Sequence, residues 1–403
     1  MHSAILNTTA FASTTLKLDG IVYKATLFNS PEDALFPEVG GTSIFLSKAY
    51  HRALHAAPPD NMYFRYVRID CEDQLIGMLG FHISTFNPGS SLKNHMDENV
   101  YNKVRYRLAS LINLKVLCLG NTLVTGDYGF CFIEKVEPKL RTLLMMQTID
   151  WLLTLQEFKK INLVFVKDFY EDIFKEIPGS TYCKKYHPID TQPSMIMDIP
   201  SGWDGLDGYL QSLKSKYRVR AKKAIQLASG LEKVELTVDQ IEEAEDLLHQ
   251  LYLKVVEDVG FNLFILSEKY FTELKRALGN RFHLWVYKEK GEIISFFTVF
   301  EDADIIDAHF LGYDPNVNHH FKLYLNMLFA MIEFASTGAF RQLQLSRTAT
   351  EIKSSVGADA VPMWAYLRVP NRMLNGWLPT AYSFFKPDLG WVSRDPFHSA
   401  TGK

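Results

Sequence analysis

LSRTATEIKSSVGADAVPMWAYLR, residues 345–368, carries the most specific pattern in the chain. A strand, AFRQLQLS (339–346), runs into it. TATEIKSSVG (348–357) then has the composition of a short helix, with Lys353 inside it and Gly357 at its end. VPMWAYLRVP (361–370) reads as a strand again. Working outward, HHFKLYLNMLFAMIEFASTG (319–338) is an apolar helix closed by Gly338. Before it, RFHLWVYKEKGEIISFFTVFED (281–302) reads as two strands about a Lys290-Gly291 turn, and ADIIDAHFLGYD (303–314) as a third. Two helices come first: 238–260, amphipathic and ending at Gly260, and 267–278, with Ser267 as N-cap.

The first half follows a similar order. Residues 47–57 form a helix stopped by Pro58-Pro59, and 62–70 with 74–84 form a hairpin. A polar insert spans 87–107. Residues 114–133 are strand-like and broken by Gly120, Gly126 and Gly129. PKLRTLLMMQTIDWLLTLQEF (138–158) is a helix begun by proline. Strands at 161–169 and 193–200 follow, after an opening strand at 19–29. The chain of 403 residues exceeds one compact core, so two domains are expected, 1–200 and 201–403. Pro, Gly and Ser mark the junction at 198–212, and 371–397 is an aromatic, Pro-rich tail packed on the surface. The fold class is α/β (α+β): two lobes, each a mixed, mostly antiparallel sheet flanked by helices.

Composition sets limits. Hydrophobic content of 47% with 22% charged residues is that of a soluble globular protein, and no apolar run nears the roughly 20 residues of a membrane span. The start of the chain has neither a basic n-region nor an apolar h-region, so no signal peptide is expected. Cys71, Cys118, Cys131 and Cys183 lack metal spacing and are expected as reduced thiols in a cytoplasmic protein. A net charge of −3 argues against a dedicated nucleic-acid binder.

This element order resembles the GNAT acyltransferases. Its duplication resembles the Fem-type peptidoglycan aminoacyltransferases and CelD-like acetyltransferases. YLQSLKSKYRVRAKKA (209–224) is similar to the helix that opens their second lobe, AHFLGYDP (308–315) to their central strand, and 345–368 to the segment in which Lys353 and Gly357 match a lysine and a glycine. The resemblance implies transfer of an acyl group from acyl-CoA, acetyl-CoA above all, or of an aminoacyl group from aminoacyl-tRNA. It implies an amine acceptor, possible tRNA contact, and a small-molecule or cell-envelope precursor as substrate, with no stable membrane insertion. One departure stands out. GNAT enzymes hold the coenzyme A pyrophosphate on a glycine loop before the long helix, and here that loop reads DPNVNHHFKLY (314–324), without glycine. The glycines of VTGDYGF (124–130) have the wrong spacing.

Acyl transfer needs a polarised carbonyl, a deprotonated amine and positioning. By resemblance, Lys353 stabilises the oxyanion, although most helix lysines are simply solvated. Asp307 and His309 lie two apart on one strand face and suit a base or an amine ligand, or else a satisfied buried pair. Tyr313 can donate a proton to the leaving group, or merely pack. Asn318, His319 and His320 at the helix start, with Arg347, are candidates for holding the donor. No third ligand accompanies the histidines, so no metal is expected. In LQSLKSKYRVRAKK (210–223), the apolar stripe Leu210, Leu213, Tyr217, Ala221, Ala224 leaves a one-sign face. No acidic residue balances the run between Lys214 and Leu231, so Lys216, Arg218 and Arg220 are candidates for a phosphate-rich substrate. The rival expectation is a catalytically degenerate GNAT-like pair that binds an anionic ligand or a partner.

Overall fold

A computed structural model describes residues 11–34, 43–87, 89, 100–259, 264–338, 340–385 and 390–398. Gly260 and much of the 87–107 insert lie outside the described residues; the rest of that insert enters a helix, Val100–Ser110. The chain divides into two compact units, Met1–Thr191 with Met363–Lys386 and Gln192–Pro362 with Pro387–Lys403.

The first unit is built on one mixed sheet. Its strand order is Ala12–Leu18, Ile21–Phe28, Tyr63–Cys71, Gln74–Phe86, Leu114–Leu119, Leu163–Phe169, Trp364–Arg368, His187–Asp190, with Phe130–Phe132 paired to Gln74–Phe86. Among the described residues, only Leu114–Leu119 and Leu163–Phe169 run parallel in this sheet. The Pro138–Leu152 helix, with Pro138 in its first turn, buries Leu144, Met145, Met146 and Ile149 against the sheet. The opening hairpin strand Ala12–Leu18 was not legible in the sequence.

The second unit has the strand order Glu232–Glu235, Phe282–Glu289, Glu292–Asp302, Ile305–Tyr313, Gln342–Gln344, Ser194–Asp198, Asp359–Val361. Ile305–Tyr313 and Gln342–Gln344 form its parallel pair. The Leu323–Thr337 helix covers one face, burying Met327, Leu328, Met331 and Ile332 against Val299, Ile306 and Leu343. Phe271 of the Tyr270–Leu278 helix meets Phe296 on the other face, with ring centroids 5.1 Å apart.

Several elements differ from expectation. The 193–200 strand lies in the second sheet, so the expected 200/201 division is shifted, and 281–369 is not one sheet. Trp364–Arg368 joins the first unit, where the Tyr366 hydroxyl donates to Asp172 Oδ1 (2.6 Å) and Arg368 pairs with Asp150. Alternating hydropathy shows that a segment is a strand, not which sheet holds its partners. The tail divides likewise: Arg372–Phe385 is a helix of the first unit, whereas Phe397 packs on Trp203 and Tyr209 in the second. The 209–224 helix breaks at Leu213-Lys214 into Gly205–Ser212 and Ser215–Leu227, since Leu213 is extended and bridges to Phe397. Residues 238–259 form two helices, Val238–Glu243 and Glu245–Val259, meeting at Ala244. Lys269, not Ser267, caps Tyr270–Leu278. The 319–338 helix is preceded by a separate turn of helix, Pro315–Phe321, because Lys322 adopts a left-handed conformation (φ 53°).

Candidate functional site

The site is built on the parallel strands of the second unit. Their ladder covers three pairs, Ile305–Gln342, Ile306–Leu343 and Asp307–Gln344, and then ends. Beyond it, Ser346 Oγ donates to the Ala308 carbonyl (3.0 Å). On the other side of Ile305–Tyr313 the register slips between Phe297 and Val299, and the Thr298 hydroxyl donates to the Phe310 carbonyl (2.7 Å). Asp307 and Gln344 thus face the same way at the apex where two strands part.

Asp307 is 1% exposed and Gln344 6%. Neither Asp307 oxygen nor Gln344 Oε1 has a hydrogen-bond partner among the described residues. A buried acceptor without a donor costs on the order of 1–3 kcal/mol, and more for a charged group. Burial first, and then the Asp302 carboxylate, holds the Asp307 carboxyl well above the usual range. Three buried acceptor oxygens on the two residues of one rung suit a group rich in N–H donors, while the Gln344 amide N–H donates to Gln342 Oε1 (3.3 Å).

His309 shares the face of Asp307. It packs on Phe300 (4.8 Å between centroids), which stands opposite Asp307 in register. Its Nε2 is 2.9 Å from the Tyr270 hydroxyl, and the two share a hydrogen bond. Burial lowers the imidazole to about 3, so it is neutral near pH 7.

Lys353 lies elsewhere on the same strand end. It is 5% exposed, and its Nζ donates to the Arg347 carbonyl in the turn after Gln342–Gln344. Burial lowers the ammonium to about 7, so it is not a solvated helix lysine. Gly357 ends the Thr350–Val356 helix at φ 109°, and a Cβ there would stand 2.2 Å from the Phe397 ring.

The remaining candidates are apart from Asp307 along the fold. Tyr313, at the strand end, packs edge-on to Tyr324 at 6.3 Å. Asn318 Oδ1 accepts the Tyr324 N–H (3.1 Å), and His319 and His320 are exposed on Pro315–Phe321. The N–H groups of Asn316, Val317 and Asn318 are already spent on Asp314. This stretch therefore does not form the pyrophosphate cradle of a glycine loop. Lys216 and Arg220 are exposed and Arg218 half-buried on Ser215–Leu227, which touches both Pro315–Phe321 and Leu323–Thr337. The Asn326 amide ties these elements together by donating to the Ala224 and Phe321 carbonyls (3.0 and 2.8 Å). Lys214 leaves the basic face, since Asp395 of the tail pairs with it at 2.7 Å.

Gln344 and Tyr270 are the site residues that sequence reasoning missed. The polar position in the alternation QLQLS (342–346) was a signal for Gln344; nothing local marked Tyr270. Among the described residues, no group of three or more His, Cys, Asp or Glu is arranged to hold a metal.

Residues 215–354 match the profile of the acetyltransferase (GNAT) domain. The matched stretch runs from the basic helix through the central strand to the lysine helix, and so overlaps all three segments on which the sequence resemblance rests. No curated protein matches the sequence. Among solved structures the chain is similar to FemX, at 10% identity over 83% of this chain and 93% of that one, with a TM-score of 0.49. It is similar to L-PGS from Bacillus licheniformis, at 12% identity over 84% and 97%, TM-score 0.46. A tandem GNAT protein from the clavulanic acid biosynthesis pathway gives 8% identity over 85% and 92%, TM-score 0.45. At such identities the residue roles rest on this chain's own geometry.

Proposed function

We propose that the second unit is an N-acyltransferase site that moves an acyl or aminoacyl group from an anionic carrier to an amine. The observation that carries this reading is the Asp307–Gln344 apex, with three buried acceptor oxygens and no donor of their own among the described residues. An acceptor amine supplies the missing N–H groups. Asp307, with its raised affinity for protons, is a stronger base than an ordinary carboxylate. The amine nitrogen attacks the acyl carbonyl carbon, its proton passes to Asp307, and the bond from the acyl carbon to the carrier breaks. Lys353 is the candidate to stabilise the oxyanion; Tyr313 stands six residues further along the strand, about 20 Å from Asp307 at ~3.3 Å per residue, and does not share its reacting centre. His309, neutral and engaged with Tyr270, positions rather than titrates.

The carrier is held by the basic face, Lys216, Arg218 and Arg220, with Asn318, His319, His320 and Arg347 as candidates around the donor. A thioester of coenzyme A and an aminoacyl-tRNA both offer phosphates to that face. Because the Asn316, Val317 and Asn318 N–H groups are used internally, coenzyme A is expected to bind weakly or in a shifted pose. The acceptor is proposed to be an amine of a cell-envelope precursor, in the cytoplasm. The same lack of a cradle favours the rival reading, a catalytically degenerate unit that binds an anionic ligand or partner.

A thermal-shift screen against acetyl-CoA, free coenzyme A, aminoacyl-tRNA and nucleotide-linked sugar peptides tests the reading, because a ligand of the native state raises the midpoint. A carrier that stabilises the protein and yields an acylated amine supports transfer. Stabilisation without product from any amine supports the binding module.

A further inference from the structure

The first unit carries an apolar surface that the transfer chemistry does not use. On Val100–Ser110 and the turn after it, Val104, Leu108 and Leu111 follow one another at spacings of four and three. Such a stripe ordinarily faces a core. Here the three are 48%, 49% and 82% exposed. The Arg372–Phe385 helix touches this helix and exposes Met373, Leu374 and Trp377 by 83%, 60% and 72%. Its opposite side is anchored: Leu378 and Tyr382 pack on Val116, Leu163 and Leu367, and the Asn375 amide donates to the Lys185 carbonyl (2.9 Å). The exposed apolar side is therefore held rigidly outward.

The charges on these helices have one sign. Residues 100–115 contain Lys103, Arg105, Arg107 and Lys115, and residues 371–385 contain Arg372; neither stretch has an Asp or Glu. Lys103, Arg107 and Arg372 are exposed, and none is in an ion pair among the described residues. Within these two helices, apolar side chains including a tryptophan stand with cations and no acid, a composition complementary to the headgroup region of an anionic bilayer. A protein partner of ordinary composition gives no reason for the exclusion of acidic residues. With 11 and 14 residues, the two helices are too short to span a bilayer, which needs about 20, so they lie on it.

We infer that the face formed by Val100–Ser110 and Arg372–Phe385 docks on an anionic phospholipid surface. The apolar side chains enter the interface while Lys103, Arg107 and Arg372 meet lipid phosphates. The inference stands independently of the transfer reading.

Co-sedimentation of the full chain with vesicles tests it. Phosphatidylcholine vesicles are compared with equimolar phosphatidylcholine and phosphatidylglycerol. Binding is expected to the anionic vesicles and to weaken as salt rises. The double variant Met373→Ser, Trp377→Ser is expected to lower partitioning by about tenfold or more, from the apolar area withheld from the interface. Lys103→Glu with Arg107→Glu is expected to remove the preference for anionic vesicles. All four side chains are exposed, so circular dichroism of both variants should match the parent. Three outcomes overturn the inference: no binding to either vesicle, binding unchanged in both variants and lost only on reversing Lys216 and Arg220, or a patch-dependent dimer in light scattering that leaves vesicles unbound.

Discussion

The two units meet the same structural problem differently. In each, a pair of parallel strands ends, and polar groups lie at the last rung of the ladder or just past it. In the first unit the strands are Leu114–Leu119 and Leu163–Phe169, and the groups are Lys167 and Asp168. Lys167 pairs with Asp168, and its Nζ donates to the Asn121 and Val124 carbonyls (2.7 and 3.1 Å). Gly120, at φ 127°, lets the loop close over the lysine stem, where a Cβ would stand 2.6 Å from Lys167 Cγ. Nearby, the Thr122 hydroxyl donates to His82 Nε2 (3.0 Å), and Asn121 donates to the Tyr50 oxygen (3.0 Å). Gly120 thus serves the chain's own lysine, while Gly126 and Gly129 make room for the Tyr128 ring and the Gly120 backbone. In the second unit, Asp307 and Gln344 occupy the corresponding place with no donor among the described residues. Among the described residues, Asp168 Oδ2 lacks a hydrogen bond but has the Lys167 cation beside it, whereas the Asp307 oxygens have neither; a polar group left unsatisfied is kept at a cost to stability, which points to function. The comparison supports the proposal that the chemistry lies in the second unit.

Four variants probe that contrast. The largest effect is expected from Asp307→Asn, which removes the base: turnover should fall by about 10²–10⁴. Turnover near the parent value in a folded protein would place the chemistry elsewhere. Next comes Lys167→Met, which leaves Asp168 buried without its cation. It should cost about 3–5 kcal/mol of stability, read by chemical denaturation, while turnover per folded molecule stays unchanged. If it abolishes turnover in folded protein, the first unit is also a site.

Lys353→Met should lower turnover by about 10²–10³ with much less change in substrate affinity. The pH profile sharpens the role. With the ammonium at about 7, an oxyanion-stabilising charge is lost as pH rises through that value, so a limb of activity should decline above pH 7 and vanish in the variant. A limb that instead rises through pH 7 would make Lys353 a base. The smallest effect is expected from Lys216→Glu with Arg220→Glu: about tenfold weaker binding of the phosphate-bearing carrier, read as a raised KM and a shallower salt dependence.

Much of this was legible in the sequence because it is local. The strand, lysine helix and strand around Lys353 are written in short-range pattern, as are the Lys290-Gly291 hairpin and the proline-led helix at 138. Asp307 and His309 could be placed on one face from strand periodicity alone. The breaks at Leu213, Ala244 and Lys322 were hidden, since each interrupts a continuous amphipathic pattern for a reason set by distant partners, as Phe397 does for Leu213. The sheet membership of Ser194–Asp198 and Trp364–Arg368 was hidden for the same reason. Nor could the sequence show that Lys353 is buried, that Asp395 neutralises Lys214, or that Gln344 stands beside Asp307.

The thermal midpoint of Asp307→Asn against the parent, followed across pH, tests the central claim most directly and needs no substrate. The folded-state carboxyl is held above its unfolded value, so its protonated form stabilises the fold at low pH, and that stability is lost as pH rises through the folded value. An asparagine side chain imitates the protonated acid and does not titrate. The account predicts that the Asp307→Asn variant melts no lower than the parent near neutral pH, with its advantage growing as pH rises above the ordinary carboxylate range. A variant that melts lower than the parent at neutral pH, with the deficit disappearing in acid, would show that Asp307 is a paired structural carboxylate and contradict the account.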